Sequence, residues 1–309
     1  MAGDNVTMSY NVRITSDDEG RRLDRILRSM FKAQTLGEIM KSIRKGDIRV
    51  NGTRVRDGST HIHSGDELTV PWGISDERKP IKNTGWGKIG VIFQGRNVLI
   101  LNKPAGMLVQ PDEPNGDSII TRVWGVFGTT TPSPVHRLDR NTTGVLAVAL
   151  HGEALRAMEE MFKARRVKKT YMAITLGRMP DDITIDAPLL KDAENNIVKV
   201  SAEGVKALTR CQCISSDGEY SLARIELLTG RTHQARVHTA HIHRPILGDR
   251  KYGEFSSRRS VKGVTRPLLH AYELEFPEDV HSSLAEIAGK KFTAPLPDDM
   301  QKFIDIRGL

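Results

Sequence analysis

His136-Arg137-Leu138-Asp139-Arg140-Asn141-Thr142-Thr143-Gly144 runs straight into Val145-Leu146-Ala147-Val148-Ala149-Leu150. A charged, polar loop followed by six apolar residues reads as a loop feeding a buried strand. Asp139 sits among His136, Arg137 and Arg140. Neighbouring positive charge favours the ionised form of a carboxylate. An ionised, oriented carboxylate can serve as a structural anchor, a general base or a nucleophile. The segment alone leaves these three roles open, and the rest of the chain has to choose among them.

The chain has 309 residues, enough for about two domains. Hydrophobic residues make up 38% and charged residues 27%, with no long block of one sign. That composition is globular, not disordered. Lys and Arg outnumber Asp and Glu by 46 to 38, a net charge of +8. The excess fits a polyanionic partner such as nucleic acid, and also fits a mildly basic cytosolic protein. The two cysteines, Cys211 and Cys213, fall on one face of a strand. They are too close in sequence for a normal disulfide and too few for a zinc site. They read as reduced thiols in a reducing compartment. The first residues carry Asp4 and no apolar run, so no signal peptide is expected. No stretch approaches the ~20 apolar residues of a membrane span. The expectation is a cytoplasmic protein without a membrane role or an obligate protein partner.

Residues 1–11 read as a polar tail, 12–72 as a small α+β domain, 73–88 as a linker and 89–309 as a larger domain. In the small domain, Leu23, Ile26, Leu27 and Met30 recur at helical spacing, and so do Leu36, Ile39, Met40 and Ile43. Ile48 and Val50 precede Asn51-Gly52, a hairpin turn signal. Val55, Ile62, Leu68 and Val70 supply further short strands. Between residues 13 and 56 there are twelve Lys or Arg against six Asp or Glu. Arg22, Arg25, Lys32, Lys41, Arg44 and Lys45 lie on the polar sides of the helices, and Arg49 and Arg54 on the hairpin. A charge run on a helix is usually its solvated face. Two basic helices beside a basic hairpin point to a phosphate-binding surface.

The larger domain shows strand patterns at 91–93, 98–101, 171–176, 222–228 and 272–276, and a helix around Leu155, Met158 and Phe162. No alternating strand-helix rhythm appears. The expected fold is therefore α+β, with a mixed, mainly antiparallel sheet and helices packed on it. Four segments stand out. They are Leu101-Asn102-Lys103-Pro104-Ala105-Gly106, the Asp139 segment, Lys168-Lys169-Thr170-Tyr171, and Leu228-Thr229-Gly230-Arg231-Thr232-His233-Gln234-Ala235-Arg236-Val237-His238. There is no nucleophile elbow, phosphate-binding P-loop or paired-histidine zinc motif. His233, His238, His241 and His243 lie beside Arg231, Arg236 and Arg244, surroundings that disfavour a divalent cation. No metal is expected, and the histidines read as structural or RNA-facing.

Taken together, these segments resemble the RluA-type pseudouridine synthases. Their hallmark resembles H-R-L-D-x-x-T-S-G, followed by G-R-T-H-Q-x-R-V-H and a late L-H-A. Here the stretches are residues 136–144, 230–238 and Leu269-His270-Ala271. The resemblance covers nearly all of residues 89–309, and residues 12–72 are similar to the αL-type RNA-binding domain that often precedes this catalytic domain. Residues 187–191 and 197–201 resemble the RluC branch, which modifies large-subunit ribosomal RNA. Thr143 stands where Ser is usual, and Ala235 where Ile is common.

The resemblance implies an isomerase that needs no cofactor. It assigns the reacting carboxylate to Asp139, with Arg231 pairing to it and Tyr171 stacking on the target base. Leu269 would form an apolar wall, and Arg137 would fill the gap left by a flipped base. Lys103, Lys168 and Lys169 would neutralise phosphates, and Arg236 would contact a phosphate. The RNA partner would be large-subunit ribosomal RNA. Alternatives are another structured RNA such as transfer RNA, or a non-catalytic ribosome-assembly factor that only binds RNA.

Overall fold

The computed structural model describes residues 10–31, 34, 36–72, 85–113, 116–192, 195, 197–253 and 261–309. Lys32, residues 1–9 of the expected tail and residues 73–84 of the expected linker lie outside them. The chain divides into two compact units, the first comprising residues up to 82 together with 128–131 and 151–153, the second the remainder.

The N-terminal unit packs helices Leu23–Met30 and Leu36–Lys45 around one apolar core. Its sheet holds the strands Tyr10–Arg13, Glu67–Val70, Arg49–Val50 and Thr53–Arg54, in that spatial order. Leu23, Ile26, Leu27, Ile39 and Ile43, the helical repeats, are fully buried. Asn51 and Gly52 both have positive φ, 50° and 78°, as a two-residue hairpin turn requires. Tyr10 and Asn11 pair with Val70 and Thr69. Tyr10 and Asn11, expected in the tail, are thus part of the sheet. A tail reading misses it because Tyr10–Arg13 is an edge strand with mostly exposed side chains.

The second unit is built on a ten-stranded sheet. Eight strands run in the order Asp182–Asp186, Leu208–Ser216, Tyr220–Leu227, Lys168–Leu176, Leu269–Glu275, Thr143–Ala149, Val98–Lys103 and Gly90–Gln94. Ser133–Pro134 and Lys291–Thr293 pair at its sides. Every pairing is antiparallel except that of Thr143–Ala149 with Leu269–Glu275. The strand after the Asp139 loop is buried at every residue, because both sheet faces are covered. Period-two alternation sends Leu99, Leu101, Leu146 and Val148 to the face that packs with helix Ile119–Phe127. Val98, Ile100, Val145 and Ala147 go to the face that packs with helix Gly152–Lys163.

The parallel joint positions the site. Thr143 sits opposite His270 and Gly144 opposite Ala271. Gly144 has φ of 113°, and a Cβ there would collide with the backbone of Ala271. Only glycine fits. The Thr143 hydroxyl lies 2.8 Å from His270 Nδ1, which gives the hydroxyl retained at this position a partner.

Candidate active site

The Asp139 loop is held from beneath by two buried cations. Lys103, at the end of its strand, is fully buried and donates from Nζ to the carbonyls of Pro104, Arg140 and Thr142, each at 2.9 Å. Arg266 Nη1 donates to the Asn141 carbonyl at 3.2 Å and to those of Pro267 and Leu269. Its Nε and Nη2 grip Asp299 at 2.7 Å each. Three consecutive carbonyls after Asp139 are therefore tied to buried positive charge. This corrects the phosphate-neutralising role expected of Lys103: its ammonium is spent on loop carbonyls and cannot reach a phosphate. Burial lowers the Lys103 pKa to about 7, against the pull of the Asp139 charge.

The Asp139 carboxylate faces a cleft of about 590 Å³. Its Oδ2 accepts from Arg236 Nη1 at 3.1 Å. Arg236 forks onto Asp249 as well, Nε to Oδ2 at 2.7 Å and Nη2 to Oδ1 at 2.8 Å. Asp249 is 1% exposed and also accepts from the backbone of Lys251 and Tyr252. Burial works against the charge on Arg236, but Asp249 and Asp139 outweigh it and raise its pKa above the ordinary arginine value. A planar guanidinium can hold two carboxylates at once in this way, and a lysine cannot.

The expected Arg231–Asp139 pair is not formed. Arg231 is exposed, and its Nε donates to the Lys206 carbonyl at 3.2 Å. The local fold explains the exchange. Gln234, first residue of helix Gln234–His241, accepts at Oε1 from the Arg231 N–H and the Thr229 hydroxyl. That ties residues 229–231 into the turn ahead of the helix. Arg236, in the first helical turn, takes the place beside Asp139. The other supposed cations around Asp139 also change meaning. His136 is stacked on Phe162, accepts from the Ala147 N–H at 3.0 Å, and is driven by burial to a pKa of about 3. Arg140 pairs with Asp112.

Tyr171 lines the cleft at the strand position where the register with Leu269–Glu275 shifts, a bulge that re-aims the side chain. Burial raises its hydroxyl pKa and the Asp139 charge raises it further, so it stays protonated. Leu269, 3% exposed, and exposed Arg137 also line the cleft. Lys169 lines it too, while Lys168 lies outside and faces Glu226 at 3.9 Å.

Comparison with known proteins agrees with this architecture. Residues 97–241 match the model of the RNA pseudouridylate synthase family, and residues 21–68 match the S4 domain. An uncharacterized RNA pseudouridine synthase of Chloroflexus aurantiacus is 35% identical over 290 residues, covering 91% of this chain and 88% of that protein. The ribosomal large subunit pseudouridine synthase C of Escherichia coli is 31% identical over 310 residues, 94% of each chain. The chain belongs to the RNA pseudouridylate synthase family. The solved structure of human RNA pseudouridylate synthase domain containing 4 superposes with a TM-score of 0.57 at 26% identity, over 70% of this chain and 92% of that one.

Sequence reasoning gave no role to Asp249, Tyr252 or Arg266, and read His233 only as structural or RNA-facing. His233 has φ of 54° and caps the helix start. Its Nε2 faces Asp139 Oδ1 at 3.7 Å and its Nδ1 lies 2.6 Å from the Tyr252 hydroxyl. That hydroxyl also accepts from the Val198 N–H at 3.1 Å. Burial lowers the His233 pKa, with Asp139 opposing. His238 is structural, bonded between the Thr209 hydroxyl and the Ala187 carbonyl at 2.9 Å each. Among the described residues no His, Cys, Asp and Glu side chains gather as a metal site, and no helix is long and apolar enough to cross a membrane.

In the S4 unit, Arg22, Arg25, Lys41, Arg44, Lys45, Arg49 and Arg54 are all exposed. Arg49 and Arg54 sit opposite each other across the hairpin. Arg22 is engaged by Asp24 at 2.7 Å. The S4 and RNA pseudouridylate synthase matches make RNA the partner of this chain.

Proposed function

We propose that this synthase converts particular uridines of large-subunit ribosomal RNA to pseudouridine in the cytoplasm, with Asp139 as the reacting carboxylate. The reaction breaks the N1–C1′ glycosidic bond, turns the base and forms a C5–C1′ bond. The C5 proton is lost and N1 gains one, so atoms balance without any redox change. The observation that carries the assignment is the state of Asp139. One oxygen is tied to a mostly buried arginine, while the carboxylate keeps 28% exposure to the cleft. A fixed but reachable anion suits attack on the sugar or base.

Tyr171 stacks on the base, Leu269 supports its other side, and Arg137 takes the space the base leaves in the RNA. Unstacking a base costs a few kcal/mol, which such a replacement offsets. Arg231, Lys169 and Lys168 meet phosphates along the approach. The large-subunit substrate is inferred from relatives such as the Escherichia coli protein, whose name specifies it.

The test is a pseudouridine map of ribosomal RNA from cells with and without the protein, repeated in vitro with purified enzyme. Expected are discrete large-subunit sites that vanish without the protein and with Asp139→Asn, while Asp139→Asn still binds RNA. Unchanged large-subunit sites in its absence, or modification by Asp139→Asn, overturn the reading.

A further inference from the structure

Arg165 occupies a position that normally falls to glycine. Helix Gly152–Lys163 ends with Arg166 N–H donating to the Met161 carbonyl at 3.0 Å and Arg165 N–H to the Phe162 carbonyl at 3.1 Å. This is the Schellman closure, whose penultimate residue must be left-handed. Arg165 has φ of 59° there. A side chain in that conformation is strained relative to glycine.

The strained residue lines the cleft. Its guanidinium is exposed and has no carboxylate or carbonyl partner among the described residues. Its neighbour Arg166 points elsewhere and pairs with Asp279. Lys163 and Lys169 line the same cleft. Burial lowers the pKa of Lys169, and the positive charge of Arg165 lowers it further. The cleft as a whole holds six cations, Arg137, Lys163, Arg165, Lys169, Arg231 and Arg236, against Asp139 and Glu159. Both carboxylate oxygens of Asp139 already face Arg236 and His233. Two repelling cations, one of them on strained backbone, mark a place that an incoming anion relieves.

We propose that Arg165, with Lys163 and Lys169, forms a phosphate subsite that holds an RNA phosphodiester beside the uridine entering the cleft. The backbone strain is the cost of placing a cation there. This rests on RNA as the substrate, and not on which RNA is modified. Function and stability then respond in opposite directions to one substitution. Arg165→Gly relieves the backbone and removes the charge.

The experiment measures binding of a large-subunit ribosomal RNA fragment across a salt series, with thermal melts of the same proteins. For Arg165→Gly the expected result is affinity about 3–10-fold weaker at low salt and a salt slope shallower by about 0.7–0.9. Its melting midpoint equals or exceeds that of the parent. Arg165→Lys, which keeps charge and strain, recovers most of the affinity. Parental affinity and slope in Arg165→Gly overturn the proposal. So does a lowered melting midpoint, or an Arg165→Lys variant as weak as Arg165→Gly. A parent protein that binds the fragment but leaves its uridines unconverted breaks the proposed function, while the Arg165 comparison still reads out.

Discussion

The cations of the N-terminal unit and those beneath the cleft have the same chemistry and opposite uses. Arg25, Lys41, Arg44, Lys45, Arg49 and Arg54 stay at the surface, in water. Lys103 and Arg266 are buried, Arg236 is mostly so, and all three are bonded to named oxygens. An exposed cation is screened by salt and acts on a polyanion mainly by releasing counterions. A buried cation has lost its water and must be compensated in full, so it fixes geometry instead. The first set should govern how tightly RNA is held, and the second whether Asp139 is in place.

The sharpest way to break this comparison is to replace, one at a time, the two arginines within the second motif, Arg231 and Arg236. Arg236→Gln leaves Asp249 buried and uncompensated and frees Asp139. Removing one partner of a buried ion pair costs about 3–5 kcal/mol of stability. Single-turnover pseudouridine formation should fall at least a hundredfold. Arg231→Gln removes an exposed charge, and should cost less than about tenfold in rate and nothing in melting midpoint. Equal losses for the two variants, measured by the same assay and melts, would return the pairing role to Arg231.

Lys103→Met tests the clamp under the loop. Three carbonyls lose their donor, and each buried unsatisfied group costs about 1–3 kcal/mol. The effect should depend on pH. The folded pKa of about 7 lies below the ordinary 10.5 of the unfolded chain. Between these values the native state has released a proton that the unfolded state keeps. Stability from this group therefore rises with pH between about 7 and 10.5, by up to about 1.4 kcal/mol per unit, and is lost as pH falls from 10.5 to about 7. Denaturant titrations at pH 6 and pH 9 should show the gap between parent and Lys103→Met widening at the higher pH. A gap that stays constant or narrows shows that Lys103 is not buried at this cost.

The two regions also differ in how legible they were. Helical spacing at Leu23–Met30 and Leu36–Lys45 was enough to place the exposed arginines, because the polar side of an amphipathic helix is its wet side. Alternation exposed the strands Lys168–Leu176 and Leu269–Glu275 in the same way. Helix Ile119–Phe127 and strand Asp182–Asp186 went unread, and strand Leu208–Ser216 was read only at Cys211 and Cys213, because their patterns are short or dominated by tertiary partners. At the site, Asp139, Tyr171 and Leu269 were found through motifs and do share one cleft. The partner of Asp139 was not legible. Arg231 and Arg236 are five residues apart in one motif, and only the start of the helix at Gln234 decides which faces the carboxylate. Asp249 and Arg266 carry no local signal, since a buried charge is defined by neighbours distant in sequence.

The smallest expected effect on chemistry comes from the exposed set. Lys41, Arg44 and Lys45 lie on the helix Leu36–Lys45, the last two in its final turn, and none has an ion pair among the described residues. Replacing all three with Gln removes positive charge without opening a cavity, so melting should change by no more than a few degrees. If two of the three meet phosphates, the salt slope of RNA binding should fall by about 1.4–1.8. Affinity should weaken about tenfold near 0.1 M salt and much less at high salt. The single-turnover rate with saturating RNA should stay within about twofold of the parent, since no buried cation is touched. A rate loss that saturating RNA does not restore would mean that this surface also orders the reacting uridine, and the division between holding and placing would fail.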